Sequence, residues 1–416
     1  MERDLLERLY RTAVDAAQPR HAVRRYLPPR PKGRTIVVGA GKASATMAEA
    51  FEAAWDGPLE GLVVVPHGQS ADLRHIALAH AAHPVPDEAG LAAAQRLLDL
   101  VASAGPDDLV VALISGGGSS LLPAPAEGLT LADEQAVNRA LLASGAPIGA
   151  MNAVRNEFSR IKGGRLAAAS RAPVATLIVS DIPGDDPSLV ASGPTVPLAT
   201  GRDHARKLVA LYGIDLPGGA AALLGSAANE APRGDDKVFA GNSVTIIASA
   251  ALSLEAAANE AEQAGLTAVI LSDAIEGEAR EVAKVHAALA REVAARNRPF
   301  DKPVVILSGG ETTVTIRGTG KGGRNGEFML SLAAALDGIG GVSALAADTD
   351  GIDGGGDNAG AFVDGGTAAR MRAAGVDPLA ALANNDAYGA FAAEGGLFVT
   401  GPTGTNVNDF RAIIVR

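Results

Sequence analysis

Three glycine-rich stretches hold the side chains best suited to chemistry: VVGAGKAS at 37–44, LISGGGSS at 113–120 and RGTGKGGRNGE at 317–327. In the first, Gly39 and Gly41 precede Lys42. A dinucleotide fingerprint needs glycine or alanine where Ser44 stands, and an acidic residue after the next strand, which instead ends in Pro66 and His67. A Walker loop needs glycine and Ser/Thr where Ile36 and Ala43 stand. What remains is a glycine turn with a lysine at the start of a helix, where a cation is disfavoured. A bound phosphate or carboxylate removes that penalty. A solvent-facing lysine on a tight turn is the plainer alternative.

The second stretch runs Ser115, Gly116, Gly117, Gly118, Ser119, Ser120. Successive glycines at a strand end let backbone amides curl around an anion, with no Cβ to hold it away. The hydroxyls add donors, and Pro123 and Pro125 permit at most one helical turn. A polyphosphate fits this pattern; a close-packed crossover without ligand is the competing reading. In the third stretch Lys321, Gly322, Gly323 and Arg324 lead into an apolar helix, so cations and helix amides converge on a carboxylate or phosphate. A basic surface loop is the alternative.

Acidic strand ends point to a metal. DTDGID places Asp348, Asp350 and Asp353 on one glycine-bearing loop, with Asp181 and Asp185 similarly placed earlier. The spacing falls short of an EF-hand, but Mg²⁺ needs only one or two carboxylates plus phosphate and water. Arg155, Lys162 and Arg165 lie on a stretch that reads equally as a solvated helix face. His80 and His83 have no serine nucleophile motif beside them, and HPVPD (83–87) reads as a structural corner.

These residues need positioning elements. Short β-branched runs alternate with Ala/Leu-rich stretches, the pattern of an α/β protein with a mainly parallel sheet. Strands are expected at 35–38, 62–65, 109–114 and 175–179, then in a second series at 244–249, 267–272, 303–308, 313–317, 343–347 and 361–363. The last residues, GLFVTGPTGTNVNDFRAIIVR, suggest a hairpin on a sheet edge, making the second sheet mixed. VVALISGGGSS is echoed by VVILSGGETT, and VSDIPGDD by AADTDGIDGGGDN. Strands ending in glycine or aspartate point to a ligand cleft beyond their carboxyl ends.

A chain of 416 residues exceeds what one core usually serves. The polar stretch at 226–241 marks the boundary, giving domains 1–237 and 238–416. The net charge of −11, without a basic block, argues against a nucleic-acid partner. With no cysteine, disulfides, thiolate catalysis and Cys-ligated zinc are excluded. The first residues read as an amphipathic helix rather than a signal peptide, and no run of apolar residues is long enough to span a membrane, so a cytoplasmic protein is expected.

Taken together, VVGAGKAS, HPVPD, LISGGGSSLL, MNAVRNEFSRIKGGRLA, VSDIPGDDPSLVASGPT, LSGGETTVTIRGTGKGGRNGEF, ADTDGIDGGGDNAGAFVD and LANNDAY resemble the glycerate 2-kinases of the MOFRL type, some of which carry the label hydroxypyruvate reductase. The resemblance implies a Rossmann-like, mainly parallel α/β/α sandwich followed by a smaller α/β domain with a mixed sheet, the active site in the interdomain cleft. It implies transfer of the γ-phosphate of ATP to the 2-hydroxyl of D-glycerate, with a divalent cation, in a monomer or homodimer. It gives catalytic roles to Lys42 and Arg324. On this reading the Ser115–Ser120 loop holds nucleotide phosphates with the two other glycine turns. Asp181 orients the acceptor hydroxyl, and Asp348, Asp350 and Asp353 hold Mg²⁺. Arg324, Asn325, Glu327 and Arg155 face the substrate. An NAD(P)-dependent hydroxypyruvate reductase and a non-catalytic nucleotide-binding protein are the rival readings.

Overall fold

The computed structural model describes residues 2–182, 184–226 and 228–416, and the chain divides into two compact units. One comprises Pro19–Ile247. Its sheet contains β1 (Thr35–Ala40), β2 (Leu59–Pro66), β3 (Ile76–Ala81), β4 (Leu109–Ser115), β5 (Val174–Val179) and β6 (Ser243–Ala248), in the order β3-β2-β1-β4-β5-β6. The first five strands pair in parallel throughout. This is the doubly wound order, with its topological switch point between β1 and β4.

Why these strands are central is written in their composition. β1, β4 and β5 are buried at every position, so they read as continuous apolar runs rather than alternating ones. The helix Glu88–Ala102 lays Leu97 and Val101 on Ile36, Val38, Val110 and Ile114. Its start is fixed by Asp87, whose carboxylate accepts the Gly90 amide at 2.8 Å. Parallel strands β2 and β3 are joined by residues 67–75 without a helix, and that loop carries Gln69 to the Lys42 carbonyl, where its Nε2 donates at 2.9 Å.

The second unit joins the N-terminal helix Glu2–Ala16 to Ala248–Arg416. Its main sheet contains β7 (Thr267–Ile270), β9 (Val304–Gly310), β11 (Val342–Asp348), β12 (Gly360–Asp364), β13 (Leu397–Phe398) and β14 (Asp409–Val415), in the order β13-β12-β11-β14-β9-β7. A separate two-stranded piece pairs β8 (Gly277–Glu278) with β10 (Thr312–Thr313). Only β7 and β9 run parallel among the main sheet's pairs; the others are antiparallel, so the sheet is mixed as expected.

Three expectations are corrected. The stretch 244–249, read as the first strand of the second domain, is the edge of the first sheet, so the division falls at Ile247 and not at 237. The first helix belongs to the second unit: Leu6, Leu9 and Tyr10 pack among Leu307, Leu345, Phe398 and Phe410, and Tyr10 Oη donates to the Asp348 carbonyl at 2.8 Å. The terminal residues form no edge hairpin. β13 pairs only with β12, while β14 lies between β11 and β9 with all seven positions buried.

Candidate active site

In the first unit, the C-terminal ends of β1 and β4 are stitched into one structure. Lys42 N donates to the Gly116 carbonyl at 2.9 Å, Ala43 N to Ser115 Oγ at 3.0 Å, and Ser44 Oγ to the Leu113 carbonyl at 3.0 Å. Gly41, at φ +141°, lies so close to Ser115 that any side chain would collide with it. Ser115 is therefore a buried brace and not a free ligand donor. Gly39 is a buried strand position packed on the Leu113 carbonyl, and Gly118 packs against Ala191.

The part of the loop left for chemistry is Gly116–Gly117. Gly117 is left-handed, at φ +81°, and opens a single helical turn, Gly118–Leu121. Around it stand side chains from different strands. Asp181, after β5, lies where a Cβ on Gly116 would go. A Cβ on Gly117 would lie 3.3 Å from Lys42 Cγ and 3.1 Å from Cδ2 and Nε2 of His83, which follows β3. Ser119 Oγ is 2.8 Å from Ser192 Oγ, which donates to Asn152 Oδ1 at 2.9 Å, and Ser120 Oγ donates to the Gly117 carbonyl at 3.1 Å. Arg155 donates to Asn138 Oδ1 at 2.8 Å and to Asn152 Oδ1 at 2.5 Å. Burial lowers the basicity of Arg155, the charge of Glu134 opposing it, and among the described residues its hydrogen-bond acceptors are neutral oxygens.

Sequence reading missed Asn152 and Ser192, and took His83 as part of a structural corner. The sign for Ser192 is in the backbone: Ala191 and Ser192 both adopt positive φ, at 52° and 61°, in a stretch that reads only as a loop. HPVPD carried the signal for His83, but nothing in the sequence shows that it reaches Gly117.

The second unit arranges its predicted residues differently. Arg324 begins the helix Arg324–Ala335 and donates to Asp409 and Asp348 at 2.7 Å each and to Glu311 at 2.8 Å. Burial works against its charge, but Asp409 and Asp348 outweigh it and hold its pKa above the usual arginine range. Asn325 is buried with Nδ2 on Asp409 at 2.8 Å. Glu327 is buried against Arg280 and takes the Asn385 amide at 2.8 Å. Both are held inside the unit, contrary to a place on the substrate. Lys321 lies over the Tyr388 ring at 3.8 Å, and Asn384, Asn385 and Asp386 clamp the backbone at 317–321. Gly322 packs against Ala387, and Gly323 N-caps the helix beside Asp353.

The expected metal trio does not converge. Asp348 pairs with Arg324, Asp350 folds onto the Ile352 amide at 2.8 Å, and Asp353 receives the helix amides of Asn325 and Gly326 at 2.9 and 2.7 Å. Burial pushes the Asp348 carboxyl up, opposed by Arg324 and reinforced by Asp350 and Asp409. Burial also raises Asp353 to about 6 against those two amides. The three carboxylates therefore do not form a shared protein cage, though Mg²⁺ needs only one or two carboxylates with phosphate and water. Among the described residues no group of three or more His, Asp or Glu side chains is arranged to hold a metal ion.

A doubly wound sheet with a glycine turn at its switch point defines an α/β protein of the kind that binds ligands beyond the carboxyl ends of its strands. Comparison with known proteins narrows this. Residues 5–225 match a domain of unknown function, DUF4147, and residues 304–409 match the MOFRL family. A D-glycerate 2-kinase of Thermotoga maritima is 39% identical over 96% of this chain and 95% of its own. A protein of Agrobacterium vitis, named provisionally as a hydroxypyruvate reductase, is 53% identical over 99% of this chain and 94% of its own. The crystal structure of a Thermotoga maritima glycerate kinase superimposes with a TM-score of 0.90 at 38% identity, covering 99% of both chains. The chain belongs to the glycerate kinase family of the MOFRL type. No described helix is long and apolar enough to cross a membrane.

Proposed function

We propose that this protein transfers the γ-phosphoryl group of ATP to the 2-hydroxyl of D-glycerate, giving 2-phosphoglycerate and ADP. The observation that carries the reading is the gathering of Lys42 and Asp181 on two stitched glycine turns at the sheet's switch point, in a chain akin to named glycerate kinases.

Phosphoryl transfer asks a protein mainly for position and charge stabilisation. The turn at Gly116–Gly118, with Ser119 and Ser120, receives the nucleotide phosphates on backbone amides and hydroxyls. Lys42, exposed beside Gly117, supplies a point charge to the transferring group. Asp181 orients the acceptor hydroxyl. Arg155 takes the glycerate carboxylate; among the described residues its hydrogen-bond acceptors are amide and hydroxyl oxygens, and the Glu134 charge acts on it through space. Arg324 retains the catalytic role implied by the family; an anionic ligand reaching it must displace a carboxylate, and Glu311 is the most exposed of the three. Mg²⁺ enters this proposal only as the ion that accompanies ATP, and no step is routed through it.

The reductase reading draws on the names of the Agrobacterium vitis relatives. Against it stand Ser44 in place of the third fingerprint glycine and the Pro66–His67 strand end. The test is parallel incubation with Mg·ATP plus D-glycerate and with hydroxypyruvate plus NADH or NADPH. Glycerate-dependent ADP release is expected, and nicotinamide oxidation in its place would overturn the proposal. ATP binding without glycerate-dependent consumption would leave a non-catalytic nucleotide-binding protein.

A further inference from the structure

Three histidines cluster where β2 and β3 end, and two of them are engaged. His67 Nε2 lies 3.3 Å from Asp87 Oδ2, and His80 Nε2 lies 2.8 Å from the Gln69 carbonyl. His83 differs. Among the described residues neither of its ring nitrogens has a hydrogen-bond partner, and its Cδ2–Nε2 edge is turned to Gly117, next to Lys42. The His83 ring is exposed, so that nitrogen is open to solvent and to a ligand seated on the turn. His83 presents its nitrogen at the glycine turn.

We propose that His83 is a catalytic residue, the base that takes the proton of the acceptor hydroxyl during phosphoryl transfer. The proposal rests on the kinase reading given above. In the step, the acceptor O–H bond breaks and its proton passes to Nε2. The hydroxyl oxygen bonds to the γ-phosphorus, and the bond from that phosphorus to the β–γ bridging oxygen breaks, its electron pair leaving with ADP. The imidazolium then returns its proton to water. The tautomer required carries hydrogen on Nδ1 and leaves Nε2 free to accept.

The surroundings keep the ring in its basic, neutral form. Partial burial and then the Lys42 ammonium hold its pKa below the ordinary imidazole value. The charged groups at the glycine turn are Lys42 and, against the preceding glycine, Asp181. On the histidine's own segment Asp87 is occupied by His67 and the Gly90 amide. Asp181 keeps its orienting role beside Gly116, while His83, whose Nε2 lies at Gly117, receives the proton.

The test compares wild type, His83→Gln and His83→Ala with Mg·ATP and D-glycerate from pH 5 to 9, with and without added imidazole. A positioned base contributes about 10²–10⁴ in rate, so kcat is expected to fall about 100-fold in both variants while KM for ATP stays near the wild-type value. Added imidazole is expected to restore part of the rate of His83→Ala saturably, and the wild-type loss of rate at acid pH is expected to flatten in the variants. Circular dichroism establishes that each variant is folded, and His83→Gln preserves the bulk of the corner. A folded His83→Gln with kcat within a few-fold of wild type, or a loss in His83→Ala that imidazole leaves untouched, would overturn the role. Wild type without glycerate-dependent turnover would instead overturn the kinase reading on which it rests.

Discussion

Asp409 is shared by two arginines: Arg324 Nε donates to its Oδ1 at 2.7 Å, while Arg411 holds its Oδ2. The two anchors come from the start of the helix Arg324–Ala335 and from β14 itself. The central position of β14 thus fixes where Arg324 can reach. Asp409 and Arg411 are almost wholly buried, whereas Arg324 retains some exposure.

Removing that carboxylate charge leaves Arg411 a buried cation without its paired carboxylate. Breaking such a pair typically costs about 3–5 kcal/mol. Asp409→Asn is expected to lose stability of that order in urea denaturation. A loss below about 1 kcal/mol, the size of a surface pair, would mean that Arg411 finds its compensation elsewhere.

His286 gives the fold an acid-sensitive element. It is buried, with Nδ1 at 2.9 Å from the Val282 carbonyl and Nε2 at 3.0 Å from Ser308 Oγ. Burial first, and Arg411 among the charges, depress its pKa from 6.5 to about 4. The unfolded chain therefore binds a proton that the folded one refuses. Stability is complete above pH 6.5 and falls as pH drops towards 4, by at most about 3 kcal/mol. His286→Gln is expected to flatten the stability profile over that window; an unchanged slope would assign acid sensitivity to other groups.

Lys42 is exposed, so its replacement leaves the fold alone. Lys42→Met is expected to keep the wild-type melting curve while kcat drops at least about 100-fold, the scale of a lost transition-state donor. Near-normal kcat would remove Lys42 from the chemistry.

Gly116→Ala tests the seat of Asp181. A methyl group there collides with the Asp181 carboxylate. Overpacking of this kind costs about 1–3 kcal/mol, and the displaced carboxylate is expected to raise KM for glycerate and lower kcat. A variant that is less stable yet fully active would show that Asp181 is not at the reacting centre.

The parts of this protein that follow local rules could be read from its residues. β1 and β4 are unbroken apolar runs, the glycines after them mark turns, and Pro123 and Pro125 limit Gly118–Leu121 to one helical turn. β3 is not legible because IALAHA has only one β-branched residue, its alanines alternating with Ile76, Leu78 and His80. Which sheet β6 joins, and which unit the first helix covers, are tertiary choices that local pattern does not encode. Nor does a cluster such as Asp348, Asp350 and Asp353 reveal its partners: one meets an arginine, one its own loop and one a helix terminus. The HPVPD motif does not announce the reach of His83, since its meaning comes from a neighbour 34 positions away in sequence, Gly117.

The most direct test of the central claim is the product formed from Mg·ATP and D-glycerate, resolved by the position of its phosphate. Formation of 2-phosphoglycerate, stoichiometric with ADP, is the expected result. A product phosphorylated at the 3-position, or no transfer alongside NADH- or NADPH-dependent reduction of hydroxypyruvate, would contradict it.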